Sequence, residues 1–87
     1  MDFLLFYEVA MKQVKVLGSG CTKCQKTAEL IERIAAEQGV EVSVTKETDA
    51  RVFLQYGVMS TPAVVIDEQL KHSGSIPHTD QVKAWLV

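Results

Sequence analysis

Two cysteines, Cys21 and Cys24, are the residues of this chain whose types and spacing could do chemistry. Only two residues separate them, so a disulfide between them would close a very short loop and remove little freedom from the unfolded chain. A chain of 87 residues with two cysteines also lacks the several disulfides that staple small secreted domains. We therefore expect the pair to carry redox chemistry or to bind a metal.

The residues around the pair predict that it stands at the start of a helix. The segment KQVKVL at 12–17 alternates polar and apolar residues, which predicts a strand that ends at the glycine-rich loop 18–20. An amphipathic helix that ends at Gly39 is predicted next, because apolar or small residues recur three and four apart at Cys24, Thr27, Ala28, Ile31, Ile34 and Ala35.

Such a placement predicts different chemical roles for the two thiols. Cys21 is expected at the N-cap, where unpaired backbone N–H groups and the helix dipole favour the thiolate, with Cys24 one turn further in and more buried. The Cys21 thiolate would attack a disulfide and Cys24 would resolve the mixed disulfide that results. Gly20, Thr22 and Lys23 are the residues that we expect to tune the Cys21 thiolate.

The remainder of the chain predicts one α/β domain with the element order β-α-β-α-β-β-α. Its mixed four-stranded sheet would lie between helices, and its first connection would be a right-handed parallel crossover. The predicted elements after Gly39 are a strand in VEVSV at 40–44, a short helix capped by Thr48 or Asp49 that runs to about Tyr56, a strand after Pro62, a turn at Glu68-Gln69, an antiparallel strand in LKHSG, and a last helix capped by His78 or Thr79.

Three segments, VKVLGSGCTKC, YGVMSTPAVVID and SGSIPHTDQVKAWL, resemble the thioredoxin-like superfamily, and within it the small redox-active disulfide proteins of glutaredoxin size. The resemblance spans 11–87 and implies a thioredoxin-like fold with thiol-disulfide oxidoreductase activity. It also implies a cis peptide bond before Pro62. Ser60, Thr61 and Pro62 would then face an extended segment of substrate beside Cys21. Thioredoxins proper carry a buried Asp where this chain has Lys15.

Other chemistry remains open for the cysteines. A small metal carrier could bind Cu(I) or Zn through Cys21 and Cys24, and a non-catalytic interaction domain would leave both thiols inert. His72 and His78 are six residues apart, outside the gap of three to five that is usual in Cys2His2 zinc sites, so they are predicted to be surface residues. The exchange hypothesis itself needs no bound cofactor.

Charge and the first ten residues bear on partners and location. The formal net charge of −2 gives no basic surplus that would bind nucleic acid or anionic lipid.

Residues 1–10 are apolar but lack a positive leader region and are too short to span a bilayer, so they are predicted to be an extension of the domain at 11–87. We expect a cytoplasmic monomer whose partners are a disulfide-containing protein or small thiol and a thioredoxin-reductase-like electron donor.

Overall fold

A computed structural model describes residues 11–20 and 22–86 of the chain. Its elements are β1 (Lys12–Leu17), α1 (Thr22–Gln38), β2 (Val42–Glu47), α2 (Ala50–Gln55), β3 (Ala63–Ile66), β4 (Gln69–Ser73) and α3 (Thr79–Trp85). This is the predicted order β-α-β-α-β-β-α. The predicted extension at 1–10, the N-cap position of Cys21 and the last residue of the predicted domain lie outside the described residues.

The four strands form one mixed sheet in the order β2-β1-β3-β4. β1 and β2 are parallel, so the chain crosses over through α1 between them. β3 pairs antiparallel with both β1 and β4. The predicted α/β class with a mixed four-stranded sheet is therefore confirmed.

The third strand is buried on both faces, and the two faces carry separate cores. All four residues of β3 are buried, with Ala63, Val64 and Val65 at 0% exposure. The core on one face joins β1 and β3 to α1 and α3, and its buried members are Val14, Val16, Cys24, Ala28, Ile31, Ile34, Ala35, Val64, Ile66, Val82 and Leu86. On the opposite face, residues of α2 and its C-cap pack against a smaller core of Leu17, Val58, Ala63 and Val65. Alternation along each strand thus divides the sheet between two helical layers.

The helix ends follow the signals in the sequence. α1 is followed by Gly39 at φ +69°, a left-handed conformation that glycine adopts without a steric penalty. Asp49 caps α2 by accepting a hydrogen bond of 2.8 Å from the backbone N–H of Arg51. His78 is the N-cap of α3, and its backbone N–H donates to Oε1 of Gln81 at 2.9 Å.

The hairpin turn lies one residue earlier than predicted. Asp67 and Glu68 form it, with φ of 50° and 70°, whereas Gln69 already belongs to β4 and pairs with Ile66. Two successive positive φ values suit the right-handed twist of the flanking strands. Asp67 also exchanges hydrogen bonds with the backbone of Gln13, donating from its N–H and accepting at Oδ1, which anchors the turn at this position.

The second strand begins and ends later than the predicted VEVSV segment. The backbone N–H of Val40 donates to the carbonyl of Ala35 at 2.9 Å, so Val40 closes the turn that follows α1 and precedes β2. Pairing with β1 then runs from Lys12 opposite Val42 to Leu17 opposite Glu47. The length of β1 therefore sets the length of β2. The helices in the described ranges are too short or too polar to span a bilayer.

Candidate functional site

The sulfur of Cys24 lies in the first turn of α1, against the end of β1. The residue is 3% exposed and belongs to the larger core. A Cβ built on Gly18, the residue that follows β1, would overlap the Sγ of Cys24. The missing side chain of Gly18 therefore provides the space that this sulfur occupies.

The segment Ser60-Thr61-Pro62 comes to the same end of the sheet, because it precedes β3, whose first residue Ala63 pairs with Leu17 at the end of β1. Cβ of Thr61 and Cβ of Cys24 each lie 3.6 Å from the point where a Cβ of Gly18 would stand. The peptide bond between Thr61 and Pro62 is cis. Pro62 is buried, whereas Ser60 and Thr61 are exposed. The structure thus brings together Cys24 and Thr61, which are 37 positions apart in the sequence, and leaves the segment open to solvent beside them.

Backbone hydrogen bonds fix both ends of this segment. The carbonyl of Pro62 accepts from the N–H of Gly74 at 3.0 Å, which ties the segment to the end of β4. On the other side, the N–H of Val58 donates to the carbonyl of Phe53 at 2.9 Å, and the Val58 side chain is buried in the smaller core. Between these anchors Met59 is 97% exposed. The segment is therefore an exposed loop whose two ends are held by backbone hydrogen bonds.

The three residues predicted to tune the thiolate lie around the start of α1. Gly20 has φ of +83°, and its carbonyl accepts from Nε2 of Gln25 at 3.4 Å. Thr22 and Lys23 are exposed in the first turn, and the hydroxyl of Thr27 donates to the carbonyl of Lys23 at 2.8 Å. Because Cys21 lies outside the described residues, its role as nucleophile and the tuning by these neighbours stay predictions.

A cluster of three polar side chains that the sequence analysis missed occupies the face of the sheet that carries α2. Nζ of Lys15 donates to the hydroxyl of Tyr56 at 2.8 Å and to Oε2 of Glu68 at 3.2 Å, and that hydroxyl donates to Oε1 of Glu68 at 2.6 Å. The Tyr56 hydroxyl and then Glu68 raise the pKa of Lys15, and the same hydroxyl and then Lys15 lower the pKa of Glu68. The alternation of β1 assigns Lys15 to this face, but nothing in the sequence links it to the two partners.

The histidines and the other potential ligands do not gather around a common point in the part of the chain that the structure describes. Nε2 of His72 is 3.0 Å from Oγ of Ser75, and its ring lies 6.2 Å from the ring of Trp85, centroid to centroid. Among residues 11–20 and 22–86, no three His, Cys, Asp or Glu side chains are placed to hold a metal ion. His78 is exposed, as predicted, whereas His72 is half-buried because its ring lies beside Trp85 of α3.

Comparison with known proteins identifies the family of this chain. A family model described as a thioredoxin domain matches residues 12–87. A protein named thioredoxin from Methanocaldococcus jannaschii is 30% identical over 87% of this chain and 87% of its own length. Another from Methanothermobacter thermautotrophicus is 24% identical over 87% of this chain and 99% of its own length. An uncharacterised protein of Acidithiobacillus ferrooxidans is 39% identical over 68% of this chain and 72% of its own length. The chain belongs to the thioredoxin domain family.

Proposed function

We propose that this protein is a thiol-disulfide oxidoreductase in which Cys21 and Cys24 alternate between dithiol and disulfide. The observation that carries the proposal is the position of the Cys24 sulfur, buried at the start of α1 and beside the exposed Thr61. A thiol there is shielded from bulk solvent yet adjacent to a surface on which a substrate can lie. Membership of the thioredoxin domain family supports the same chemistry.

The reaction proceeds by two exchange steps. The Cys21 thiolate attacks one sulfur of the substrate disulfide, a new S–S bond forms, and the other substrate sulfur leaves with the electron pair and takes a proton from solvent. The Cys24 thiolate then attacks the sulfur of Cys21, which releases the remaining substrate thiolate. That thiolate takes up a second proton, and the two protons balance those that Cys21 and Cys24 lose when they become thiolates. The pair ends as a disulfide, and the substrate has gained two electrons and two protons.

The loop Ser60-Thr61-Pro62 is the proposed substrate surface. Ser60 and Thr61 are exposed, and the buried Pro62 is held through its carbonyl by Gly74. An extended substrate segment can add to the backbone of such an exposed loop as a short strand, which gives affinity with little demand on side chains. The proposed substrates are a protein disulfide or a small disulfide, and the proposed electron donor is a thioredoxin-reductase-like enzyme. We propose that the protein acts in the cytoplasm as a monomer and without nucleic acid or membrane partners.

Cysteine replacements test the assignment of roles. Cys21→Ser removes the attacking thiol and should abolish reduction of a disulfide substrate. Cys24→Ser leaves the first step intact and should accumulate the mixed disulfide, which intact-mass analysis detects. Full turnover by Cys21→Ser, or no mixed disulfide with Cys24→Ser, would contradict the proposal.

A redox titration provides the matching measurement on the unaltered chain. We expect the pair to change by two electrons, with a midpoint between about −180 and −280 mV, an interval that includes thioredoxin, glutaredoxins and protein disulfide isomerase. Alkylation followed by intact-mass analysis across a series of thiol buffers measures this midpoint. A pair that stays reduced throughout the series but binds one Cu(I) tightly would instead favour a metal carrier.

A further inference from the structure

Gly18, which follows β1, does not have a backbone conformation that requires glycine. Glycines in this chain with positive φ are Gly20, Gly39, Gly57 and Gly74, and Gly18 is not one of them. Gly18 is also buried, so contact with solvent does not explain why glycine occupies this position. What distinguishes it is its surroundings, because a Cβ there would overlap one atom, the Sγ of Cys24.

We propose that Gly18 is a positioning residue for Cys24: the space left by its missing side chain fixes the Cys24 sulfur beside Thr61 and so sets how fast Cys24 resolves a mixed disulfide. The inference rests on the proposed function for its kinetic part, because that part requires thiol exchange at Cys21. Its geometric part rests only on the overlap between Gly18 and Cys24.

The contacts around Gly18 make the effect selective for the sulfur. The next nearest atoms to a Cβ on Gly18 are Cβ of Cys24 and Cβ of Thr61, both at 3.6 Å, which is ordinary van der Waals distance. Gly18→Ala therefore leaves Thr61 in place and displaces the Cys24 sulfur into another rotamer. Exchange between sulfurs requires close alignment, and a misplacement of about 1 Å can slow a reaction by about 100-fold.

Two-phase thiol release measures the two steps separately. The reduced protein is mixed with an aromatic disulfide whose thiolate is coloured: attack by Cys21 releases one thiolate, and attack by Cys24 on the mixed disulfide releases the second. Gly18→Ala should slow the second phase by about 10- to 100-fold, because the Cys24 sulfur is displaced. The rate of the first phase should change by less than about twofold, because attack by Cys21 does not use that sulfur. A second phase as fast as that of the wild type, or equal slowing of both phases, would overturn the inference.

Gly39→Ala is the matched control. A Cβ at Gly39 meets no atom within 4 Å, but the φ of +69° makes the substitution strained, so it should lower stability without touching Cys24. Both phases should keep their wild-type rates in the folded variant. A slow second phase in Gly39→Ala would show that any loss of stability produces the effect, and the inference would fall.

A stability comparison decides the geometric part even where exchange is absent or Gly18→Ala folds poorly. Cys24→Ala removes the one atom that a Cβ on Gly18 would overlap. Adding Gly18→Ala to Cys24→Ala should therefore lower the melting temperature by much less than adding Gly18→Ala to the wild type. Equal losses in the two backgrounds would overturn the inference. If the wild type releases no thiolate from the aromatic disulfide, the proposed function fails, and this comparison still decides the role of Gly18.

Discussion

A single hydroxyl group, that of Tyr56, is shared by two charged side chains of opposite sign. It accepts from Lys15 at 2.8 Å and donates to Glu68 at 2.6 Å, and Nζ of Lys15 lies 5.3 Å from the centroid of the Tyr56 ring. Tyr56 is the C-cap of α2, Lys15 lies in β1, and Glu68 lies in the β3–β4 turn. One residue therefore connects three separate elements on the smaller-core face.

Tyr56→Phe should flatten the dependence of stability on pH. The pKa of Glu68 is lowered in the folded protein, so its contribution to stability is present above the unfolded pKa and is lost as pH falls through the folded pKa. The pKa of Lys15 is raised, so its contribution is complete below the unfolded pKa and is lost as pH rises through the folded pKa. Both shifts have the Tyr56 hydroxyl as their largest cause, so Tyr56→Phe should reduce the loss at acidic and at strongly alkaline pH.

Urea unfolding of the wild type and Tyr56→Phe, from about pH 3 to pH 7, measures the acidic half of this effect. The difference should be small and should shrink at high salt, because the charged groups are accessible to solvent. Glu68→Gln is the control, since it removes the acidic titration directly, and adding Tyr56→Phe to it should cause no further flattening below neutral pH. Parallel curves for wild type and Tyr56→Phe would show that the hydroxyl does not couple to Glu68.

At the scale of elements, α1 both presents Cys24 and supplies much of the larger core. Ile31 and Ile34 lie on the buried side of the helix at 0% exposure, two and three turns after the cysteine. The helix therefore holds the sulfur in place through the same face that stabilises the domain. Packing of this face therefore contributes both to the position of the Cys24 sulfur and to the free energy of unfolding.

Ile34→Ala should lower the free energy of unfolding by about 2 to 5 kcal/mol, because it removes apolar contacts and leaves a cavity in the larger core. Denaturant unfolding of both variants and the wild type measures the loss. Glu32→Ala, at an exposed position of the same helix, should change stability by less than about 0.5 kcal/mol. Similar losses for the two variants would mean that Ile34 is not packed as the structure shows.

The elements that the sequence predicts best are those whose signals are local. The face of α1 follows from its spacing, and the ends at Gly39, Asp49 and His78 follow from residues beside them. The position of the hairpin turn depends instead on hydrogen bonds between Asp67 and Gln13, 54 positions apart, and no local pattern contains that information.

The candidate site also has features that local sequence predicts and features that it does not. The start of α1 brings Cys24 to the end of β1, and this arrangement follows from a strand, a glycine loop and a helix in sequence. The need for glycine at position 18 follows only from the three-dimensional approach of the Cys24 sulfur. The cluster of Lys15, Tyr56 and Glu68 likewise requires three elements to meet, so periodicity alone predicts the face of Lys15 and not its partners.

At the scale of the whole molecule, residues 11–86 contain a four-stranded sheet with a core on each face. β3 is buried between the two cores, and α1 and α3 contact each other over the larger one. The thioredoxin domain match spans residues 12–87, which is nearly the same segment. The described elements and the family match therefore cover nearly the same part of the chain.

A chain that begins at Met11 should fold without residues 1–10. The four strands and the buried core members within the described residues all lie in 12–86, so the truncated chain retains that apolar burial, which drives folding. We expect a single cooperative unfolding transition, a denaturant m-value close to that of the full chain, and the same two phases of thiol release. A non-cooperative transition or a strongly reduced m-value would show that residues 1–10 complete a core. In that case the folding unit of this chain would extend beyond the segment that matches the thioredoxin domain.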